Sequence, residues 1–247
     1  MLHTIRAIVL HSLATKVLAM ITRILRTAGF AGLFAALLLT VMQSLWLTPL
    51  IHTAETYEHA APAAHEHGSA NTAEHVHEEA AWEPEDGWQR VLSTTGGNLV
   101  VAVGFGLMLA GLYTLRAPGR TAEGLLWGLA GYAVFTLAPT LGLPPELPGT
   151  AAADLASRQV WWVGTAASTA VALALMVFAR GWPLKLAGAV LLVIPHLVGA
   201  PQPAIHESLA PEALEAQFRW AAQLTNVAFW LALGSATAWL FRRSARA

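Results

Sequence analysis

Residues 52–79 carry six of the chain's ten histidines, and nine of its fifteen acidic residues lie between Glu55 and Asp86. The segment runs His52, Glu55, Glu58, His59, His65-Glu66-His67, Glu74, His75-Val76-His77, Glu78, Glu79. Imidazole nitrogen and carboxylate oxygen together suit borderline divalent cations such as Co2+, Ni2+, Zn2+ and Cu2+. His65 and His67, and likewise His75 and His77, stand two residues apart, so on an extended segment both members face one side. Either pair could grip an ion, with Glu66 or Glu78 adding an oxygen. The segment is also rich in Ala, and the same composition describes a solvated polar loop without a fixed shell around the ligands. It follows a long apolar run, which points to metal handling at a membrane.

Two further places could do chemistry. Between Ala138 and Trp162, Pro144, Pro145, Pro148 and Gly149 forbid a continuous helix. Glu146 sits in that turn, Thr150 can cap a following helix, and Asp154 and Arg158 are then i,i+4 neighbours. With free carbonyls, Glu146 and Asp154 would form an outer-face ion entrance. The plainer reading is a capping turn with a weak surface ion pair. His196 follows Pro195 inside an apolar run, and an ionisable group within a membrane span is a functional candidate by default. Gln43 and Asn226 are better read as helix–helix hydrogen-bonding residues.

The elements that position these residues are membrane helices. The chain is 55% hydrophobic and 12% charged, about half the charge of an ordinary soluble domain. Cysteine is absent, which removes disulfides, thiolate metal sites, iron–sulfur clusters and cysteine nucleophiles. Six runs approach the roughly 20 apolar residues a span needs: 28–51, 91–115, 124–143, 159–179, 185–200 and 220–241. Eleven of the fourteen Lys and Arg residues then fall on one side; Arg90, Arg158 and Arg219 fall on the other. The positive-inside rule places both termini in the cytoplasm and residues 52–86 outside. The expected fold is therefore an all-α, polytopic membrane helical bundle. Residues 1–26 form a cytoplasmic segment, of which 1–19 read as an interfacial helix or as the product of a misplaced start before Met20. Residues 27–247 form the membrane domain.

The spans group into three hairpins. Each outgoing span has a proline near its outer end (Pro49, Pro139, Pro195), and each returning span opens with Arg near Trp (Trp88/Arg90, Arg158/Trp161, Arg219/Trp220). This is the pattern of parallel internal repeats, although interfacial anchoring by Trp and Arg accounts for part of it. No phosphate-binding Gly-rich loop, no His-Glu-x-x-His and no mid-membrane carboxylate occurs. The chain reads as a non-enzyme with no organic cofactor and no nucleic-acid partner.

Several blocks resemble the CbtA family, predicted cobalt transporter subunits of bacteria. They are Trp46-Leu-Thr-Pro49-Leu-Ile with Ala54-Glu55 and Tyr57-Glu58, then Gly87-Trp88-x-Arg90, and the long 138–162 segment. Pro195-His196-Leu-Val-Gly-Ala-Pro201 follows, then Phe218 through Asn226 to Phe229-Trp230, and Arg242-Arg243. The resemblance spans Met20 to the C-terminus, and its matched polar positions are Glu55, Glu58, Glu146, Asp154, Arg158, Gln159 and His196. It implies uptake of Co2+ for cobalamin supply across the bacterial inner membrane, beside a small His-rich membrane partner, CbtB. On this reading the 52–79 segment concentrates ions and Glu55, Glu58, Glu146 and Asp154 form a vestibule. His196 then meets the ion as it sheds water. His65, His67, His75 and His77 lie between the matched blocks. Ni2+ and Zn2+ remain open as cargo, since geometry rather than ligand type separates them. The other reading is a non-conducting membrane scaffold or sensor that binds metal and docks a partner.

Overall fold

The computed structural model describes residues 2–65 and 87–244. The described chain is helical, with one isolated bridge, Thr150 to Ser208, as its strand-like pairing. In chain order the elements are α1 (Leu2–Met42), a π segment (Gln43–Leu47), α2 (Thr48–His65), α3 (Trp88–Leu115) and α4 (Glu123–Tyr132). A second π segment (Ala133–Leu137), α5 (Ala138–Thr140), α6 (Leu155–Phe178), α7 (Trp182–Val198) and α8 (Glu212–Arg243) follow.

Every one of the six expected spans is helical. Among the described residues four helices are long and apolar enough to cross a membrane: Leu10–Ala60, Trp88–Leu115, Leu155–Phe178 and Glu212–Arg243. Trp182–Val198 is apolar but shorter, at 17 residues. Residues 123–140 are helical where the third span was expected, by way of the second π segment.

Both π segments have the same cause. Proline lacks the N–H an α-helix needs, and its ring crowds the carbonyl four residues back. Pro49 follows Leu47, and Pro139 follows Leu137, each by two residues. The wider turn moves the hydrogen bonds one residue further back, Thr48 N–H to the Gln43 carbonyl and Ala138 N–H to the Ala133 carbonyl, so the helix continues past the proline. Pro195 is handled differently. It sits in the last turn of α7, and the Leu191 carbonyl it deprives of a partner accepts the Ser168 hydroxyl at 2.6 Å.

The contacts divide the chain into two compact units. The first comprises residues 1–40, 94–129 and 228–247. Its α1 face is built from Ala28, Ala31, Ala35 and Leu39, spaced at three and four residues along one side of the helix. Small residues let backbones approach closely, as helix packing in lipid favours. A Cβ on Gly128 would strike the Trp230 carbonyl oxygen, and one on Gly234 the Gly124 carbonyl oxygen. Trp230 stacks at a tilt on Phe105 with centroids 4.6 Å apart. The Arg23 guanidinium lies 3.6 Å above the Phe241 ring and donates to the Phe241 carbonyl.

The second unit comprises residues 41–93 and 130–227. Here α6 and α7 form a tight pair. Trp161 Nε1 donates to the Pro195 carbonyl at 3.2 Å, and Gly188 sits against the Ala172 carbonyl. Two proline-rich connections, 141–154 and 199–211, are tied together by the Thr150–Ser208 bridge. Ala151 N–H donates to the Glu207 carbonyl and Leu209 N–H to the Gly149 carbonyl. Gly149 has φ +76°, which glycine adopts without strain, and a Cβ there would lie 3.1 Å from Leu209. Beneath this tie a small core of Ala54, Leu147, Ala210 and Phe218 packs with Leu50 and Leu214.

Candidate functional site

The candidate residues that the structure describes all fall in the second unit. Residues 52–65 belong to α2 rather than to a loop: Ala and Glu favour helix, and the helix runs on through Pro62 to His65. His65 is the last described residue of α2. His67, His75 and His77 lie outside the described residues.

Glu55 is taken up by Arg90. The guanidinium reaches both carboxylate oxygens, and His52 Nδ1 lies 3.0 Å from Glu55 Oε2 and 3.3 Å from Arg90 Nη1. Glu58, one turn further on, is exposed.

The expected Asp154–Arg158 ion pair does not form. Asp154, rather than Thr150, is the N-cap of α6: its carboxylate accepts the Ser157 N–H at 2.8 Å and the Ser157 hydroxyl at 2.9 Å. The short Asp side chain serves the orphan N–H groups of its own helix start. These bonds from Ser157 hold its carboxyl below the usual carboxylate range. Arg158, with a longer reach, instead donates to Glu146 at 3.0 Å. Thr150 is engaged in the bridge to Ser208.

Each of the three arginines singled out in the sequence therefore holds a glutamate: Arg90 with Glu55, Arg158 with Glu146 and Arg219 with Glu215 at 3.5 Å. The last two pairs line one cleft of about 200 Å³ between the two proline-rich connections. Its rim also carries Gln202, His206 and Glu207. Sequence reasoning gave no site role to these three, nor to Glu215. The signal was present, because Pro201, Pro203 and Pro211 repeat the proline density of residues 144–148 that drew attention to Glu146.

His196 is half-buried at the end of α7, edge-on to Trp161 with centroids 6.1 Å apart. The carbonyl that Pro195 frees one turn earlier is spent on Ser168, so it is not open to an ion. Asn226 donates to the Ala222 carbonyl within its own helix, rather than across to another. Gln223, unremarked in the sequence, bridges Tyr132 and Thr140. Among the described residues no three His, Asp or Glu side chains converge as a ready metal site.

Among the described residues, long apolar helices and no sheet define a multi-pass membrane protein. No curated protein and no solved structure matches the chain. A family model, described as "Probable cobalt transporter subunit (CbtA)", matches residues 21–242. The chain belongs to the CbtA family.

Proposed function

We propose that this protein is the membrane subunit through which a divalent transition metal, Co2+ foremost, is taken up for cobalamin synthesis. The observation that carries this reading is the family match over residues 21–242, whose description names a cobalt transporter subunit. In the proposed arrangement six helices cross the bacterial inner membrane with both termini cytoplasmic. The distribution of eleven Lys and Arg against three supports that orientation. Residues 1–26 would form the cytoplasmic segment and 27–247 the membrane domain. The His/Glu-rich stretch up to Asp86 would collect ions outside, and a small His-rich membrane protein of the CbtB kind would act beside it. The matching placement of π segments before Pro49 and Pro139 supports a common origin for the first two hairpins.

The proposed path runs from Glu55 and Glu58 and the Glu146/Asp154 region toward His196. Two of these carboxylates are bound to arginine, so a cation must displace a guanidinium to use them. The second reading, a metal-binding scaffold that conducts nothing, draws support from the absence of a converged ligand set among the described residues.

Uptake of radiolabelled Co2+ into proteoliposomes holding this chain alone separates the two. Saturable uptake, competed by excess Ni2+ or Zn2+ to differing degrees, is the expected result. No uptake by a preparation that still binds Co2+ would establish the scaffold reading. Unchanged uptake by His196→Ala would remove that residue from the path.

A further inference from the structure

Helix α1 outruns the unit it belongs to. At the end that carries both termini, Arg23 donates to Ser244 Oγ at 3.0 Å and to the Phe241 carbonyl. Tyr113 lies edge-on to Phe241 with centroids 5.6 Å apart, and Gly124 sits against Ala238. The ends of α3 and α8 and the start of α4 therefore stand near the level of Arg23. Residues 10–22 carry α1 past that level without a break, about 20 Å at 1.5 Å per residue. All of them are exposed.

The projecting segment has two unlike sides. Leu10, Leu13, Val17 and Met20 recur at three and four residues along one of them and are 45% to 58% exposed. Five turns of helix, at 3.6 residues each, bring a face back into line. That distance separates Leu10 from Ala28, Leu13 from Ala31 and Val17 from Ala35, and the three alanines are buried in the unit. It also separates Ser12 from Phe30 and Thr15 from Leu33, and those two apolar side chains face out of the unit. The apolar side of the projection therefore looks over the end of the helices, and its polar side looks away.

This phasing decides what can cover the bare face. A bend that laid the segment outward on the bilayer would press Ser12 and Thr15 into lipid and leave the leucines in water. A second copy in the same membrane, related by an axis along the membrane normal, would bring its own helices to the contact side, where this unit's helices already stand. What remains is a segment that arrives from the aqueous phase and lies over the end of the unit. The charge there is one-sided: the unit holds nine Lys and Arg residues and one acid, Glu123. Lys16 borders the apolar stripe, three residues from Leu13 and four from Met20, and Arg242 and Arg243 stand at the end of α8. Such a field favours an acidic partner.

We propose that residues 10–22 are a docking site for an acidic amphipathic helix of a separate partner protein. Its apolar side seats on Leu10, Leu13, Val17 and Met20, the spacing by which one helix reads another. Its carboxylates meet Lys16, Arg242 and Arg243. The site stands apart from the residues of the proposed metal path and holds whether or not metal passes.

The chain has no cysteine, so Ala14→Cys carries a single polarity-sensitive fluorophore beside the stripe. The labelled full chain, in phosphatidylcholine nanodiscs, is titrated with a synthetic peptide that has Leu at three- and four-residue spacing and Glu elsewhere. A second peptide has Lys in place of Glu. The expected result is a saturable blue shift with the Glu peptide and at least tenfold weaker binding of the Lys peptide. Leu13→Gln/Met20→Gln, checked for an intact fold by size exclusion, is expected to weaken the Glu peptide at least tenfold. The comparison of the two peptides needs neither substitution, so it decides whatever becomes of that variant. A fluorophore that is blue-shifted before peptide is added and quenched by brominated lipid would assign the face to the bilayer. A dimer that Leu13→Gln/Met20→Gln dissociates would assign it to a second copy. Either of these, no binding, or equal affinity for the two peptides would overturn the proposal.

Discussion

Tyr132 donates its hydroxyl hydrogen to Gln223 Oε1 at 2.7 Å, and Gln223 Nε2 in turn donates to Thr140 Oγ1 at 2.8 Å. Thr140 passes its own hydrogen to the Leu137 carbonyl at 3.0 Å. One amide thus clamps both ends of the π segment Ala133–Leu137 to α8, while the Thr140 hydroxyl satisfies a carbonyl in the turn that Pro139 disturbs.

Gln223→Leu should release that clamp. Two side-chain hydrogen bonds are lost, and Tyr132 is left half-buried without its acceptor. In a bilayer such bonds average about 0.6 kcal/mol and reach about 1.7, so a loss of roughly 1–3 kcal/mol is expected for the pair with the orphaned hydroxyl. Gln223→Glu should retain Tyr132 as donor but lose the bond to Thr140. Hydrogen exchange of the amides at 132–140 reads this directly: faster exchange is expected in both variants, more so with Leu. Exchange indistinguishable from wild type would show that proline and packing alone hold the π segment.

Glycines at the α4–α8 crossing should be irreplaceable, whereas others are not. An added methyl on Gly128 would collide with the Trp230 carbonyl oxygen, a backbone atom that no rotamer change can move. Gly104 has nothing within 4 Å of the same methyl. Gly128→Ala is expected to cost about 1–3 kcal/mol through overpacking, and Gly104→Ala to be neutral or slightly stabilising. Thermal unfolding in detergent, both variants side by side, makes the comparison. Equal melting temperatures would argue that the helices part without cost.

Asp154 should make stability depend on pH. Its folded carboxyl titrates below the usual range, because Ser157 N–H and Oγ favour the charged form. A depressed folded value contributes stability that is fully present above the unfolded value of about 3.9 and disappears as pH falls through the folded one. Asp154→Ala should therefore melt below wild type at neutral pH, with the gap closing under acid. Asp154→Asn, still a good cap, should recover much of the loss without the pH dependence. A gap that stays constant from pH 6 to pH 3 would assign the loss to something other than the charged cap.

The helices were legible because hydropathy is a local property: all six expected spans are helical, with ends shifted by a few residues apart from the first and from the start of the sixth, which lies at Glu212 rather than 220. The first was misjudged at its outer end. Apolar content stops near Ile51, but helix formation depends on propensity and continues to His65. The π segments were not legible beyond the prolines that cause them. Pro195, equally suggestive, is accommodated by the Ser168 hydroxyl from a neighbouring helix, which no spacing rule reveals. The three arginines stood out in the sequence, where a partner was expected for Arg158 alone, and the structure gives it a different one. Arg158 and Asp154 are near in sequence, yet the capping demand on Asp154 and the fold of the 141–154 turn bring Arg158 to Glu146. Glu207 and His206 read in the sequence only as a His-Glu pair without a second His, because it is the bridge from Thr150 to Ser208, a long-range pairing, that sets them beside the first turn.

The crossing at Gly124, Gly128 and Gly234 has an entropic consequence. Where side chains interdigitate, association freezes rotamers; here the touching atoms are main-chain atoms of already formed helices, with no rotamers to lose. Helices in a bilayer are largely formed before they associate, so the usual penalty for ordering glycine backbone has been met earlier. The contact is therefore one whose strength should vary little with temperature.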